Sequence, residues 1–274
     1  MTDFQSITFE VTDQVAQLVL NRPDRLNALH QAALLEINQA MDQAEADAQV
    51  RVIVISGAGR AFSSGFDLKA QMELRPQGSQ VWREILDLDF DTTMRFWNSP
   101  KPTIAAVHGA CLAGAFEIAM SCDITIASAD AVFGEPELKF GAGIVTMLLP
   151  WMTSPKHAKR IILSADDRIS APEALAMGLL SRVVAPGTHL AEALRTARGI
   201  ALMDPELVAA TKRALNKTYD IQGLQGALRA ALDIDHTIES EGSPDKRAFM
   251  ERAREHGLRE AIAWRDARFA KARR

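Results

Sequence analysis

Apolar and polar positions follow two different periods along the chain, and the change of period divides it. "SITFEV" (6–11) and "VAQLVL" (15–20) flank "TDQ" and predict a β-hairpin. Between 28 and 47, Leu34, Leu35, Ile37, Met41 and Ala44 recur at helical spacing. "VRVIVISG" (50–57) is an apolar run ended by glycine, the pattern of a buried strand. Strand, helix and strand in that order predict a parallel unit, because parallel strands need a crossover connection. "GRAFSSGFDL" reads as a Gly/Ser loop. Residues 80–97 predict an amphipathic helix, with Trp82, Leu86, Phe90, Met94 and Trp97 on one stripe suited to core or subunit packing.

"PTIAAVHG" (102–109) and "DITIAS" (123–128) read as further strands, separated by a helix that begins near Gly114 and ends before Cys122. "AVFGEPEL" (131–138) reads as a short strand or turn. Beyond 155 the spacing is helical, over roughly 155–164, 171–178, 189–202, 205–216, 221–239, 245–256 and 258–272, punctuated by Gly178, Gly187, Gly242, Pro244 and Gly257. The expectation is an α/β core of about 150 residues followed by a helical C-terminal part, with no internal repeat.

Composition narrows the function classes. A chain of 274 residues can bury a sizeable core. Its net charge is −4, and no Lys/Arg run precedes the tail "RDARFAKARR", which reads as a solvated helix end; nucleic acid is not an expected partner. No segment approaches 18 uncharged apolar residues, so no membrane span is expected. The acidic N-terminus lacks an apolar signal core, and Cys111 and Cys122 lie in apolar surroundings without metal-type spacing. The expectation is a cytoplasmic protein with buried, reduced thiols.

Candidate chemistry concentrates in two small-residue stretches. "GACLAG" feeds the helix near Gly114, whose first N–H groups have no helical partner and attract an anion or developing oxyanion. Glu117 lies about one turn further on. Glu137 follows Pro136 in "FGEPEL", and two carboxylates facing one site can divide acid and base roles. Glu135 reads as a solvated loop acid. "AFSSGFDL" can present the N–H of Phe66 as a second donor; Ser63 and Ser64 lie outside any nucleophile elbow. His108 reads as structural, and His30, His157, His189, His236 and His256 show no metal spacing.

In combination and order, "NRPDRLNAL" (21–29), "GAGRAFSSGFDL" (57–68), "KPTIAAVHGACLAGAFEIAMSCDITIAS" (101–128), "AVFGEPEL" (131–138) and "DDRISAPEALAMGLLSRVV" (166–184) resemble the enoyl-CoA hydratase/isomerase (crotonase) superfamily. The resemblance implies an α/β crotonase-like spiral of ββα units over 1–190 and a C-terminal helical oligomerisation region over 191–274, assembling trimers or hexamers. It implies an acyl-CoA thioester substrate, with coenzyme A part of the substrate and no metal or separate cofactor. The family's oxyanion-hole amides fall on Phe66 and Gly114, and the hydratase glutamates on Glu117 and Glu137. Arg25, Leu26, Ala28, Ser64, Gly65, Asp67, Leu68, Leu112 and Pro136 fall at substrate- and CoA-binding positions. The implied reaction is hydration of a 2-enoyl-CoA, with isomerisation, lyase, decarboxylase or hydrolase chemistry on the same enolate as the alternative. Family analogy gives the Cα proton to Glu137 and water activation to Glu117. Three local sequences depart from the usual family pattern: Ala113 and Ala115 in "AGAFE", the large Phe66, and "FGAGIVTMLLPW". Ile144, Val145, Met147 and Leu148 of the last stretch, together with helix 80–97, are expected to line an apolar acyl pocket.

Overall fold

The computed structural model describes residues 4–270; residues 1–3 and 271–274, with the end of the expected last helix and of the basic tail, lie outside them. Strands β1 (Ile7–Thr12) and β2 (Val15–Leu20) pair antiparallel across Asp13 and Gln14, both at positive φ, a two-residue turn that suits the twist of a hairpin. Helix α1 (Gln31–Ala46) carries the chain to β3 (Val52–Gly57), which lies parallel to β2 with Leu18 opposite Ile55. Helices α2 (Leu68–Leu74) and α3 (Ser79–Asn98) lead to β4 (Thr103–Val107). The short strand β5 (Ala110–Leu112), helix α4 (Gly114–Ser121) and strands β6 (Ile124–Ser128) and β7 (Val132–Gly134) follow.

The chain then runs through α5 (Glu137–Phe140), α6 (Leu149–Met152), α7 (Pro155–Leu163), β8 (Ile169–Ser170), α8 (Ala171–Ala176) and β9 (Arg182–Val184). It ends in five helices: α9 (His189–Ala201), α10 (Pro205–Gln222), α11 (Leu224–Glu241), α12 (Pro244–His256) and α13 (Leu258–Ala270).

Two sheets result. The larger has the order β1-β2-β3-β4-β6-β9 and is parallel except for the hairpin; the smaller has the order β5-β7-β8. Successive strand residues face opposite sides. Leu18, Ile55, Ala105 and Ala127 thus join the main core with α1, α3 and α4. Val15, Val54, Ile104 and Ile126 meet Ala193, Ala197 and Ala201 of α9 on the other face. Burial on both faces explains why β3 and β4 read as unbroken apolar runs.

Two sequence expectations change. The sheets do not end before residue 155, because β8 and β9 return the chain to them. Two- and three-residue strands are too short to show a period. "ELKF" and "LPWM" form single helical turns, α5 and α6, and "LKAQMEL" forms α2, capped by the Asp67 carboxylate on the N–H groups of Lys69 and Ala70.

Candidate active site

Three loops are stitched together at one end of the main sheet. Leu26 and Asn27 both take positive φ, and the Asn27 amide donates to the carbonyls of Ala58, Ala61 and Phe62. The Ser63 hydroxyl donates to the Asn27 carbonyl and accepts from the Gly65 N–H, so Ser63 is a buried brace. Leu29 donates to the Gly65 carbonyl and Asp67 to the Leu29 carbonyl, which turns the intervening Phe66 N–H the other way. Gly65 has φ +88°, and a Cβ there would lie 2.6 Å from the Ala113 Cβ and 3.3 Å from the Gly114 nitrogen. The loop bearing Phe66 therefore packs directly on the start of α4. Neither the Phe66 nor the Gly114 N–H donates a hydrogen bond among the described residues.

That helix start is tight. Ala113 caps α4 at φ 55°, ψ −138°, a conformation costly for a residue with a Cβ. It is held by its N–H to the Gly134 carbonyl at 2.9 Å. A Cβ on Gly114 would lie 2.3 Å from the Phe66 ring, so the large Phe66 is accommodated by this glycine.

Every residue of α4 is buried, and Glu117 is 0% exposed. One carboxylate oxygen from each of Glu117, Glu135 and Glu137 lies within 4.8 Å of the others. The expectation for Glu135 is corrected here. It is 1% exposed, anchored by its N–H to the Asp166 carbonyl, and turned inward with the other two. The alternation of β7 carries it there, a cue that the following proline hides in the sequence. Neither oxygen of Glu117 or Glu135 has a hydrogen-bond partner among the described residues.

Desolvation dominates the electrostatics. Burial pushes Glu117 well above the usual carboxylate range, and repulsion from Glu137 adds to this; Thr146, close by, opposes it. Burial raises Glu135 in the same way, reinforced by Glu137 and Glu117. Glu137, which faces the cavity, is raised to about 7, again chiefly by burial; its own backbone amide and Glu135 pull the other way, and Asp235 pushes it further up. The protons belong to the cluster rather than to single residues. As a ligand set for a cation the trio is incomplete, since hard cations take six or more oxygens and only Glu137 of the three lines the cavity.

The cavity has a volume of about 770 Å³, in the range of small-molecule sites. Of the residues singled out in the sequence, Arg25, Leu26, Ala28, Ser64, Phe66, Asp67, Leu68, Leu112, Pro136 and Glu137 line it. Glu117, Gly114 and Gly65 do not; they stand behind the wall, where Gly65 acts through its backbone. Asp67 also pairs with Arg22 at 3.0 Å; against partial burial, the Ala70 N–H first and Arg22 next hold its carboxyl below the usual range.

The 140–151 stretch lines the cavity through Phe140, Ala142, Gly143 and Val145, and three of the four apolar residues expected there do not. Val145 lines the cavity, whereas Ile144 and Leu148 are buried elsewhere and Met147 packs on the core. From α3, Trp82 and Leu86 line it, while Phe90, Met94 and Trp97 belong to the core. A second cavity of about 490 Å³ shares Phe66, Asp67, Leu68, Gln71 and Asp89 with the first. His108, as expected, is structural: its Nε2 lies 2.9 Å from the Gly59 carbonyl and its ring stacks on His189.

Sequence reasoning missed several lining residues. Arg60, Lys69 and Arg259 join Arg25 in giving the cavity exposed cations. Asp89, Asp235, Glu239 and Arg265 come from helices whose only sequence signal was amphipathic spacing. The α12–α13 pair builds a small core of its own on Phe249, Ala253 and Ala261, against Phe140, and roofs the cavity with Leu258 and Ile262.

Comparisons with known proteins identify the family. The sequence profile of the enoyl-CoA hydratase/isomerase family matches residues 10–256. A short-chain-enoyl-CoA hydratase of Clostridium acetobutylicum is 32% identical over 277 residues, covering 94% of this chain and 99% of its own. A crotonyl-CoA hydratase of Syntrophomonas wolfei is 32% identical over 280 residues, covering 97% and 98%. Among solved structures, an enoyl-CoA hydratase/isomerase from Xanthobacter autotrophicus Py2 is 61% identical with a TM-score of 0.96, covering 97% of this chain and 99% of that one. The chain is an enzyme of the enoyl-CoA hydratase/isomerase family, with the crotonase fold.

Proposed function

We propose that this enzyme hydrates a 2-enoyl-CoA. The observation that carries the reading is the approach of Glu117 and Glu137 within 4.8 Å, beside a helix start whose first amide is free. The thioester oxygen accepts hydrogen bonds from the Phe66 and Gly114 N–H groups, which stabilise the enolate; one such donor is typically worth on the order of 10²–10³ in rate. Water oxygen bonds to Cβ, the C=C pair moves toward the thioester oxygen, and Cα then takes a proton. One carboxylate accepts a water proton and the other gives one to Cα, so a single shared proton is restored at the end of each turnover. Charge moves only among carboxylates, amides and thioester, so the step calls for no metal or redox group. Burial and mutual repulsion make the carboxylates share their protons as one cluster, and family analogy gives the Cα proton to Glu137 and water activation to Glu117.

The cations Arg25, Arg60, Lys69 and Arg259 suit the phosphates of coenzyme A, the carrier half of the substrate. Assembly as a trimer or hexamer is supported by exposed apolar side chains on the C-terminal helices, Leu207, Leu215 and Ile221 of α10 and Ile234 of α11. A monomer at micromolar concentration in sedimentation would contradict it. No described helix is long and apolar enough to cross a membrane, and both cysteines are free and buried, in keeping with a cytoplasmic enzyme.

A second reading, double-bond isomerisation, rests on Glu137 being the one member of the trio that lines the cavity, since a single carboxylate can shuttle a proton between carbons. Absorbance at the enoyl-thioester band with crotonyl-CoA separates the two. Loss of the band that disappears in Glu117→Gln supports hydration. An unchanged band, with turnover of a 3-enoyl-CoA, supports isomerisation.

A further inference from the structure

One wall of the cavity carries an acid that takes no step in the proposed reaction. Asp235 of α11 is 3% exposed and lines the cavity, yet neither carboxylate oxygen has a hydrogen-bond partner among the described residues. An unpartnered buried carboxylate is costly unless something satisfies it. The adjacent cation is already engaged: the Lys246 ammonium pairs with Glu239 and lies 4.1 Å from the centre of the Trp82 ring. Gly143 presses against the other side; a Cβ there would lie 1.8 Å from an Asp235 oxygen, so a larger residue is excluded. Asp89 of α3 stands on the same wall, also buried. Trp82, Leu86 and Val145 around these acids are apolar.

We propose that this wall is a recognition site for a hydroxyl group on the substrate's acyl chain, with Asp235 as the acceptor and Asp89 beside it. The proposal rests on the acyl-CoA reading above and names the substrate class: an acyl-CoA whose apolar chain or ring bears a hydroxyl. A neutral donor fits better than a cation. Burial and Asp235 push the Asp89 carboxyl well above the usual carboxylate range, toward its neutral form, and Lys246, ion-paired with Glu239, already supplies a positive charge to Asp235 as well. A hydroxyl supplies the missing hydrogen bond without adding a charge to an apolar chamber. A site built to bond a hydroxyl discriminates strongly against the analogue that lacks it.

The test is equilibrium binding of saturated acyl-CoA thioesters, which cannot be hydrated. Probes are ω-hydroxyacyl-CoAs of four to eight carbons and 3-(4-hydroxyphenyl)propanoyl-CoA, each against its unsubstituted counterpart and the ω-amino analogue. At least one hydroxylated member should bind about tenfold or more tightly than its plain counterpart, the worth of one good hydrogen bond to a charged group. Asp235→Leu should abolish that preference and tighten the plain thioester. The near-isosteric Asp235→Asn, which guards against a folding defect, should give an intermediate preference. Equal binding of hydroxylated and plain members, tighter binding of the amino analogue, or an unchanged preference in both variants overturns the proposal. Plain and hydroxylated thioesters that both fail to bind overturn the acyl-CoA reading with it, whereas hydration of crotonyl-CoA without any hydroxyl preference overturns this inference alone.

Discussion

The two ends of the cavity are built by different means. In the proposed reaction the thioester end is backbone: the amides of Phe66 and Gly114, fixed by loops that Asn27, Ser63 and Gly65 hold together. The proposed acyl end is side chain: Asp89, Asp235, Trp82 and Val145 line the same cavity, brought together from α3, α11 and the segment after α5. Backbone geometry survives most substitutions of the residues that supply it, so such an end can stay constant while the other varies. The contrast matches what each end has to recognise, a thioester common to many substrates and an acyl group that differs among them.

Substitutions at the thioester end should have the largest effects. Glu137→Gln keeps the shape but removes the proton-transfer group; kcat should fall by about 10³ while the Kd for a saturated acyl-CoA stays within a few-fold. An equal loss of binding would make Glu137 a packing residue. Gly114→Ala drives a methyl into the Phe66 ring and shifts the amide; kcat should fall by roughly 10² with little change in thermal stability. Double replacement with Phe66→Ala should recover part of the loss, and no recovery would place the fault elsewhere.

Glu135 sharpens the comparison, since it belongs to the carboxylate cluster without lining the cavity. Its raised pKa means that the folded state keeps a proton the unfolded chain releases near pH 4.3. Stability should therefore fall as pH rises above that value. Glu135→Gln removes this dependence, so its unfolding midpoint should exceed wild type by more at pH 8 than at pH 5. Because Glu135 also lowers the proton affinity of Glu137, Glu135→Leu should move the acid limb of kcat/KM above about 7, and Glu135→Gln should restore it. An acid limb unmoved in both would remove Glu135 from the proton inventory. The smallest effect is expected at Ala113, whose φ of 55° favours glycine. Ala113→Gly should be neutral to stabilising, by up to about 1 kcal/mol in chemical denaturation.

The same contrast explains what could be read from the sequence. The hairpin, α1, β3, β4, α4 and β6 were legible because each carries its own period or turn residues. Phe66, Gly114, Glu117 and Glu137, which the fold brings near one another, stand out in the sequence because their motifs are contiguous and ordered. Glu135 was misread because a neighbouring proline indicates a turn and says nothing of which way a short strand points its side chains. Asp235 and Asp89 were invisible because 146 residues separate them (235 − 89 = 146) and only tertiary packing sets them on one wall. The strands β8 and β9 were missed because two or three residues cannot display a period.

The account stands most directly on whether water is added to the substrate. Crotonyl-CoA incubated with the enzyme in H₂¹⁸O and, separately, in D₂O should yield a product analysed by mass spectrometry. The account predicts one ¹⁸O atom, at Cβ, and one deuterium, at Cα, with both signals lost in Glu117→Gln and Glu137→Gln. Deuterium exchange into recovered enoyl-CoA without any ¹⁸O would contradict hydration and leave proton transfer at carbon as the reaction.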